Sequence, residues 1–242
     1  MNRILRLDKV LSNMGFGSRK EVKQLIKDGA VEIDGRIMRD SSLQVNVDIC
    51  KIHVLGKELE YKEFVYIMMN KPQGVISATE DLREKTVVDI LAPEYKIFGV
   101  APVGRLDKDT EGLLLLTNDG QLAHQLLAPK KHVPKTYIAT IEGRVTDTDV
   151  KAFMEGVVLD DGYKTLPAEL EILDRGSISN IRITIYEGKF HQIKRMFEAV
   201  DKRVIYLKRI SMGSLKLDDE LRLGEYRELT SDELIDLKNC NQ

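Results

Sequence analysis

The stretch VGRLDKDTEGLLLLTNDG, residues 103–120, constrains this chain more than any other. Four consecutive leucines, Leu113 to Leu116, lie between Gly112 and the turn residues Asn118-Asp119-Gly120. So short an apolar run between turn signals predicts a strand buried on both faces rather than a helix. The polar segment from Arg105 to Gly112 leads into it. A loop anchored on a rigid buried strand is a good mount for a reactive side chain. This one offers Asp107, Asp109 and Glu111 beside Arg105.

From these residues alone two readings are open. One is a turn whose carboxylates cap backbone donors. The other takes Asp107-Lys108-Asp109 as a metal-binding Asp-x-Asp, because alternate residues of an extended segment point the same way and hard cations prefer carboxylates.

The whole chain has 242 residues, 43% hydrophobic and 31% charged. That fits a globular protein of one large domain, or a small domain plus a medium one. No apolar run approaches the roughly 20 residues of a membrane span. The start, MNRILRLDKVL, lacks a signal-peptide core. Cys50 and Cys240 form no metal spacing, and the four histidines are scattered. A reducing, cytoplasmic location is expected, with no zinc site.

Charge distribution says more than the net value of −2. Residues 1–27 carry seven cations, Arg3, Arg6, Lys9, Arg19, Lys20, Lys23 and Lys27, against Asp8 and Glu21. Residues 185–210 carry seven against three acids. Two basic patches on a nearly neutral chain point to a polyanion contacted in two places; solvated helix faces are the plain alternative.

Near the N-terminus, Leu7, Val10, Leu11 and Met14 recur at helical spacing. Ser18 and Glu21 form a capping box for a second helix, whose stripe Val22, Leu25 and Ile26 is apolar. Lys20, Lys23 and Lys27 then share another face. Asp34-Gly35 between two short apolar runs signals a hairpin. Lys57 to Lys62 reads as a polar connector, with a boundary near residue 62.

Beyond it, Phe64 to Met69 predicts a buried strand stopped at Pro72. Asp119 is placed to cap a helix over Gln121–Leu127. Strands are expected at 133–140, 157–159, 168–173 and 181–185, and helices at 147–156 and 191–200. Short strands and a terminal helix close the chain.

Against this background, GRLDKDTEGLLLLTNDG resembles the signature loop of the pseudouridine synthases, and RLDKVLSNMGFGSRKEVKQLIKDGAVEIDGRIM resembles the S-four RNA-binding module. NKPQG, Lys135-Thr136-Tyr137 and EGKFHQIKRMF match three further elements of the synthase family. The His-Gln form of the last is similar to the small-subunit rRNA branch, the RsuA type. The resemblance implies an α+β fold: an S-four-like module over 1–62, then a synthase domain over 63–242 with a mixed, mostly antiparallel sheet and a central cleft.

It also implies roles. Asp107 is the catalytic aspartate, Tyr137 stacks on the target base, and Lys194 pairs with Asp107. Arg105 fills the vacated stack or holds a phosphate. Arg19, Lys20, Lys23 and Lys27 contact RNA phosphates, and Lys71 faces RNA from the NKPQG loop unless it is an ordinary surface lysine. The partner is small-subunit rRNA or an assembly intermediate, and the protein acts as a monomer. The implied isomerisation loses no group and changes no oxidation state, so no cofactor or metal is required. The chain also lacks a Walker loop and a Gly-x-Gly-x-x-Gly motif. Competing readings are a large-subunit enzyme of a sister branch, a non-catalytic RNA binder, and a metal-dependent enzyme using Asp107 and Asp109.

Overall fold

The computed structural model describes residues 3–239. Cys240 lies outside the described residues; Cys50 is a free, partly buried thiol. The chain forms two compact units, Met1–Val65 with Ala92–Val100, and Tyr66–Leu91 with Ala101–Gln242. Among the described residues no helix is long and apolar enough to cross a membrane.

In the first unit the chain runs β1 (Ile4–Arg6), α1 (Leu7–Asn13), α2 (Arg19–Lys27), β2 (Val31–Ile33), β3 (Arg36–Ile37), β4 (Gln44–Asn46), β5 (Ile52–Val54) and β6 (Lys57–Leu59). The α2 capping box forms as expected: Ser18 Oγ accepts from the Glu21 amide, and Glu21 accepts from the Ser18 amide at 2.8 Å. Val22 and Ile26 are buried with Leu7, Val10 and Leu11. That packing leaves Arg19, Lys20, Lys23 and Lys27 exposed. Asp34 and Gly35, both at positive φ, turn the β2–β3 hairpin.

Residues 57–59 are not the connector that their polarity predicts. They form β6, an edge strand on β5, after a turn at Leu55-Gly56. A leucine at φ +52° is an unusual turn residue, so the sequence carries no hairpin signal there.

The chain continues through β7 (Tyr66–Lys71), α3 (Val87–Ile90) and α4 (Pro93–Lys96), the last grouped with the first unit. Then come β8 (Ala101–Pro102), β9 (Glu111–Thr117), α5 (Gly120–Leu127), β10 (Lys135–Glu142), α6 (Asp147–Glu155), β11 (Glu169–Asp174) and β12 (Ile178–Ile185). The last elements are α7 (Gln192–Glu198), β13 (Arg203–Met212), β14 (Leu215–Lys216), β15 (Tyr226–Glu228) and α8 (Ser231–Asn239).

Among the described residues, the larger unit holds one nine-stranded sheet in the order β11-β12-β10-β13-β9-β7-β15, with β14 on β13 and β8 on β9. Its pairs are antiparallel except β13 with β9. The leucine run is β9, and every residue from Glu111 to Thr117 is buried. Leu113 and Leu115 pack with Tyr66, Met68 and α5 residues Leu122 and Leu126. Asp119 caps α5 by accepting from the Leu122 amide at 3.0 Å. Residues 157–159 form no regular strand; Val158 makes a single bridge to Lys164.

Candidate active site

The loop ahead of β9 is held from beneath. Lys71 ends β7 fully buried, and its Nζ donates to the carbonyls of Asp107 and Thr110, each at 2.9 Å, and of Pro72 at 3.1 Å. Ser77 Oγ donates to the Leu106 carbonyl at 2.8 Å, and the Leu106 amide returns a bond at 3.0 Å. The Gly74 amide donates to the Lys108 carbonyl at 2.8 Å. Three residues of one stretch, Lys71, Gly74 and Ser77, thus fix the backbone that presents Asp107.

This corrects the expectation for Lys71. Its ammonium does not face a partner. It satisfies carbonyls that a tight loop turns inward, and such groups need a donor. Burial pushes Lys71 down to about 8, against the charges of Asp107, Asp109 and Glu111.

Helix α7 supplies the cation opposite. Ile193, Met196 and Phe197 bury one face of it. Lys194 is left half-buried, with Nζ 3.2 Å from Asp107 Oδ2 and 2.6 Å from Asp109 Oδ1. Burial works against Lys194, but hydrogen bonds and charge from Asp109 and Asp107 raise it above the usual lysine value. Burial likewise opposes the charge on Asp109, yet Lys194 holds it below the usual carboxylate range. One ammonium thus contacts both carboxylates of the loop.

Asp107, Lys194, Arg105 and Tyr137 all line one cavity of about 850 Å³. That volume suits a nucleoside-sized guest. Tyr137 is buried in β10, while Arg105 is exposed at the loop. Arg19, Lys20, Lys23 and Lys27 belong to the other unit, on the exposed side of α2.

Sequence reasoning missed two lining residues. His191 Nε2 lies 3.7 Å from Asp107 Oδ1, and its ring stacks on the exposed Phe190 with centroids 3.8 Å apart. Its left-handed backbone, φ +49°, starts α7. The signal was its place three residues before Lys194. Arg209 is the other; it looked like one more cation of a basic stretch.

Most cations of the second basic patch have partners within the protein or are buried. Arg195 pairs with Asp160 and Asp161, Lys202 with Asp149 and Arg203 with Glu142. Lys189 lies over the Tyr163 ring, and Arg209 is buried. The partners come from distant segments, which local charge does not record.

A carboxylate kept beside an ammonium, in a cavity that an aromatic ring also lines, is equipped to attack carbon or remove a proton. The profile of the family described as RNA pseudouridylate synthase matches residues 65–199, and that of the S-four domain matches residues 5–48. The chain belongs to the RNA pseudouridine synthase family. It is an isomerase that acts on RNA, built as an S-four domain followed by a synthase domain.

The synthase is 55% identical over 231 residues to an uncharacterized RNA pseudouridine synthase of Bacillus subtilis, covering 95% of this chain and 97% of the relative. It is 38% identical to a ribosomal small subunit pseudouridine synthase A of Yersinia pestis, covering 95% and 97%. It is 39% identical to a ribosomal large subunit pseudouridine synthase B of Bacillus subtilis, covering 95% and 93%.

Proposed function

We propose that this synthase isomerises one uridine of 16S small-subunit rRNA, with Asp107 as the catalytic carboxylate. The observation that carries the assignment of Asp107 is its 3.2 Å contact with Lys194 in the lining of a nucleoside-sized cavity. Desolvation alone disfavours a carboxylate, and a close cation offsets it.

A uridine within folded RNA is stacked and shielded. It must leave the stack, at a cost of a few kcal/mol. Tyr137, buried in the cavity wall, receives the base by its face; such stacking contributes roughly 1–3 kcal/mol. Arg105, exposed beside Asp107, occupies the gap or holds a phosphate. Asp107 then attacks the sugar carbon or takes a sugar proton. The uracil detaches, turns and rejoins through carbon 5. In the S-four domain, Arg19, Lys20, Lys23 and Lys27 bind phosphates and position the enzyme without reading sequence.

The small-subunit target is supported by the 38% identity to the Yersinia pestis enzyme and by the His191-Gln192 pair. A large-subunit uridine is the second reading, favoured by an equal likeness to the large-subunit enzyme. Mapping pseudouridines in both rRNAs of a strain lacking the gene separates them. One missing 16S site, restored by the wild-type gene and not by Asp107→Asn, is the expected result. A missing 23S site instead rejects the 16S assignment.

A further inference from the structure

The cavity wall holds a charge that the catalytic scheme leaves unused. Strands β10 and β13 place Tyr137 directly opposite Arg209. Paired residues share a sheet face, and so do residues two apart on a strand. Lys135, Tyr137, Leu207 and Arg209 accordingly form one surface, and all four line the cavity.

Arg209 is 2% exposed. Its Nε donates to the Leu113 carbonyl at 2.8 Å, but its buried Nη2 has no partner among the described residues. A buried cation with an orphan donor is costly unless something fills it. Lys135 stands on the same surface, with Nζ 3.0 Å from the Val133 carbonyl. Burial, with the charge of Arg209 adding to it, pushes Lys135 down to about 8. Two crowded cations beside the base-stacking ring call for an anionic or acceptor-rich guest.

We propose that Arg209 donates to the detached uracil ring and stabilises the negative charge it carries while free. This rests on the uridine isomerisation above. When the glycosidic bond breaks, its electron pair leaves on the ring nitrogen, and the charge spreads to the ring carbonyl oxygens. Carbon 5 then bonds the sugar carbon. Its proton passes to a base, and the ring nitrogen takes up a proton. Atoms and electrons balance without a further reagent. Both routes open to Asp107 release the same anion. A preorganised donor aimed at charge that develops only during reaction accelerates the step directly.

The test compares single-turnover consumption of the target in ordinary RNA and in 5-fluorouridine-substituted RNA. Fluorine stabilises the ring anion, so the reaction leans less on Arg209. Arg209→Gln is expected to be about 10²–10³-fold slower on uridine. Its deficit on 5-fluorouridine should be at least about tenfold smaller, with RNA affinity unchanged. Equal deficits on both substrates overturn the proposal. So does a wild-type rate, or lost affinity at an unchanged single-turnover rate, which marks a phosphate anchor. If circular dichroism shows Arg209→Gln misfolded, Arg209→Lys keeps the charge without the fork, and the same two-substrate comparison decides. Asp107→Asn should be inert on both RNAs; turnover there overturns the catalytic assignment of Asp107 itself.

Discussion

The ammonium of Lys71 donates to the backbone carbonyl of Asp107 at 2.9 Å, from a side chain with no exposed surface. It is a peg under the loop rather than a hand toward RNA. Lys71→Met should therefore loosen the loop and lower kcat. A misplacement of about 1 Å costs as much as roughly 10²-fold. RNA affinity should hold. Single-turnover kinetics and a filter-binding titration check this; lost affinity with intact kcat restores the RNA-facing role.

The same lysine sets a pH dependence of stability. It titrates at about 8 in the fold, because burial penalises its charge, and near 10.4 when unfolded. Between those values the unfolded chain keeps a proton that the folded chain has released. Stability gains from this site as pH rises through that window, by up to about 3 kcal/mol. Lys135, also at about 8, acts with the same sign. Urea unfolding at about pH 7.5 and 9.5 should show a smaller gain for Lys71→Met than for wild type. Equal gains reject the assignment.

Lys194 touches both acids of the loop, so its loss should uncover Asp107 and Asp109 together. Lys194→Ala is expected to lose about 10²–10³-fold in kcat. Lys194→Arg keeps a cation in reach and should retain most activity. A tritium-release assay reads both. An Ala variant near wild type would remove Lys194 from the mechanism.

In the S-four domain, the exposed row Lys20, Lys23 and Lys27 should act through charge alone. Replacing all three by alanine should weaken RNA binding and flatten its salt slope by up to about 2 units. An unchanged slope places the contact elsewhere.

Gly112 lies where β9 meets β13, at φ +100°. A Cβ there would come 2.2 Å from the backbone oxygen of Arg209. Gly112→Ala combines backbone strain with a collision against a sheet partner, and about 3 kcal/mol should be lost. Chemical denaturation measures it. A loss under about 1 kcal/mol would mean that the sheet opens there easily.

Much of this molecule was readable before any coordinates. The leucine run announced β9 because a short apolar segment between turns has few other fates. Ser18 and Glu21 announced the start of α2, and Asp119 that of α5, because caps act within one turn. The motif segments placed Asp107, Tyr137 and Lys194 in one cavity. Local charge was a poorer guide. The patch over residues 185–210 turned out largely paired or buried, since ion pairs join residues far apart in the chain.

The chain by itself determined most of the elements, the caps of α2 and α5, and the family. Each of those depends on neighbours within a few residues, or on motif wording. Only the tertiary structure decided which cations are buried, that Lys71 supports the loop from below, and that Arg209 stands beside Tyr137 with a donor unspent. Burial and cross-strand register arise from contacts between distant segments, and no local pattern records them.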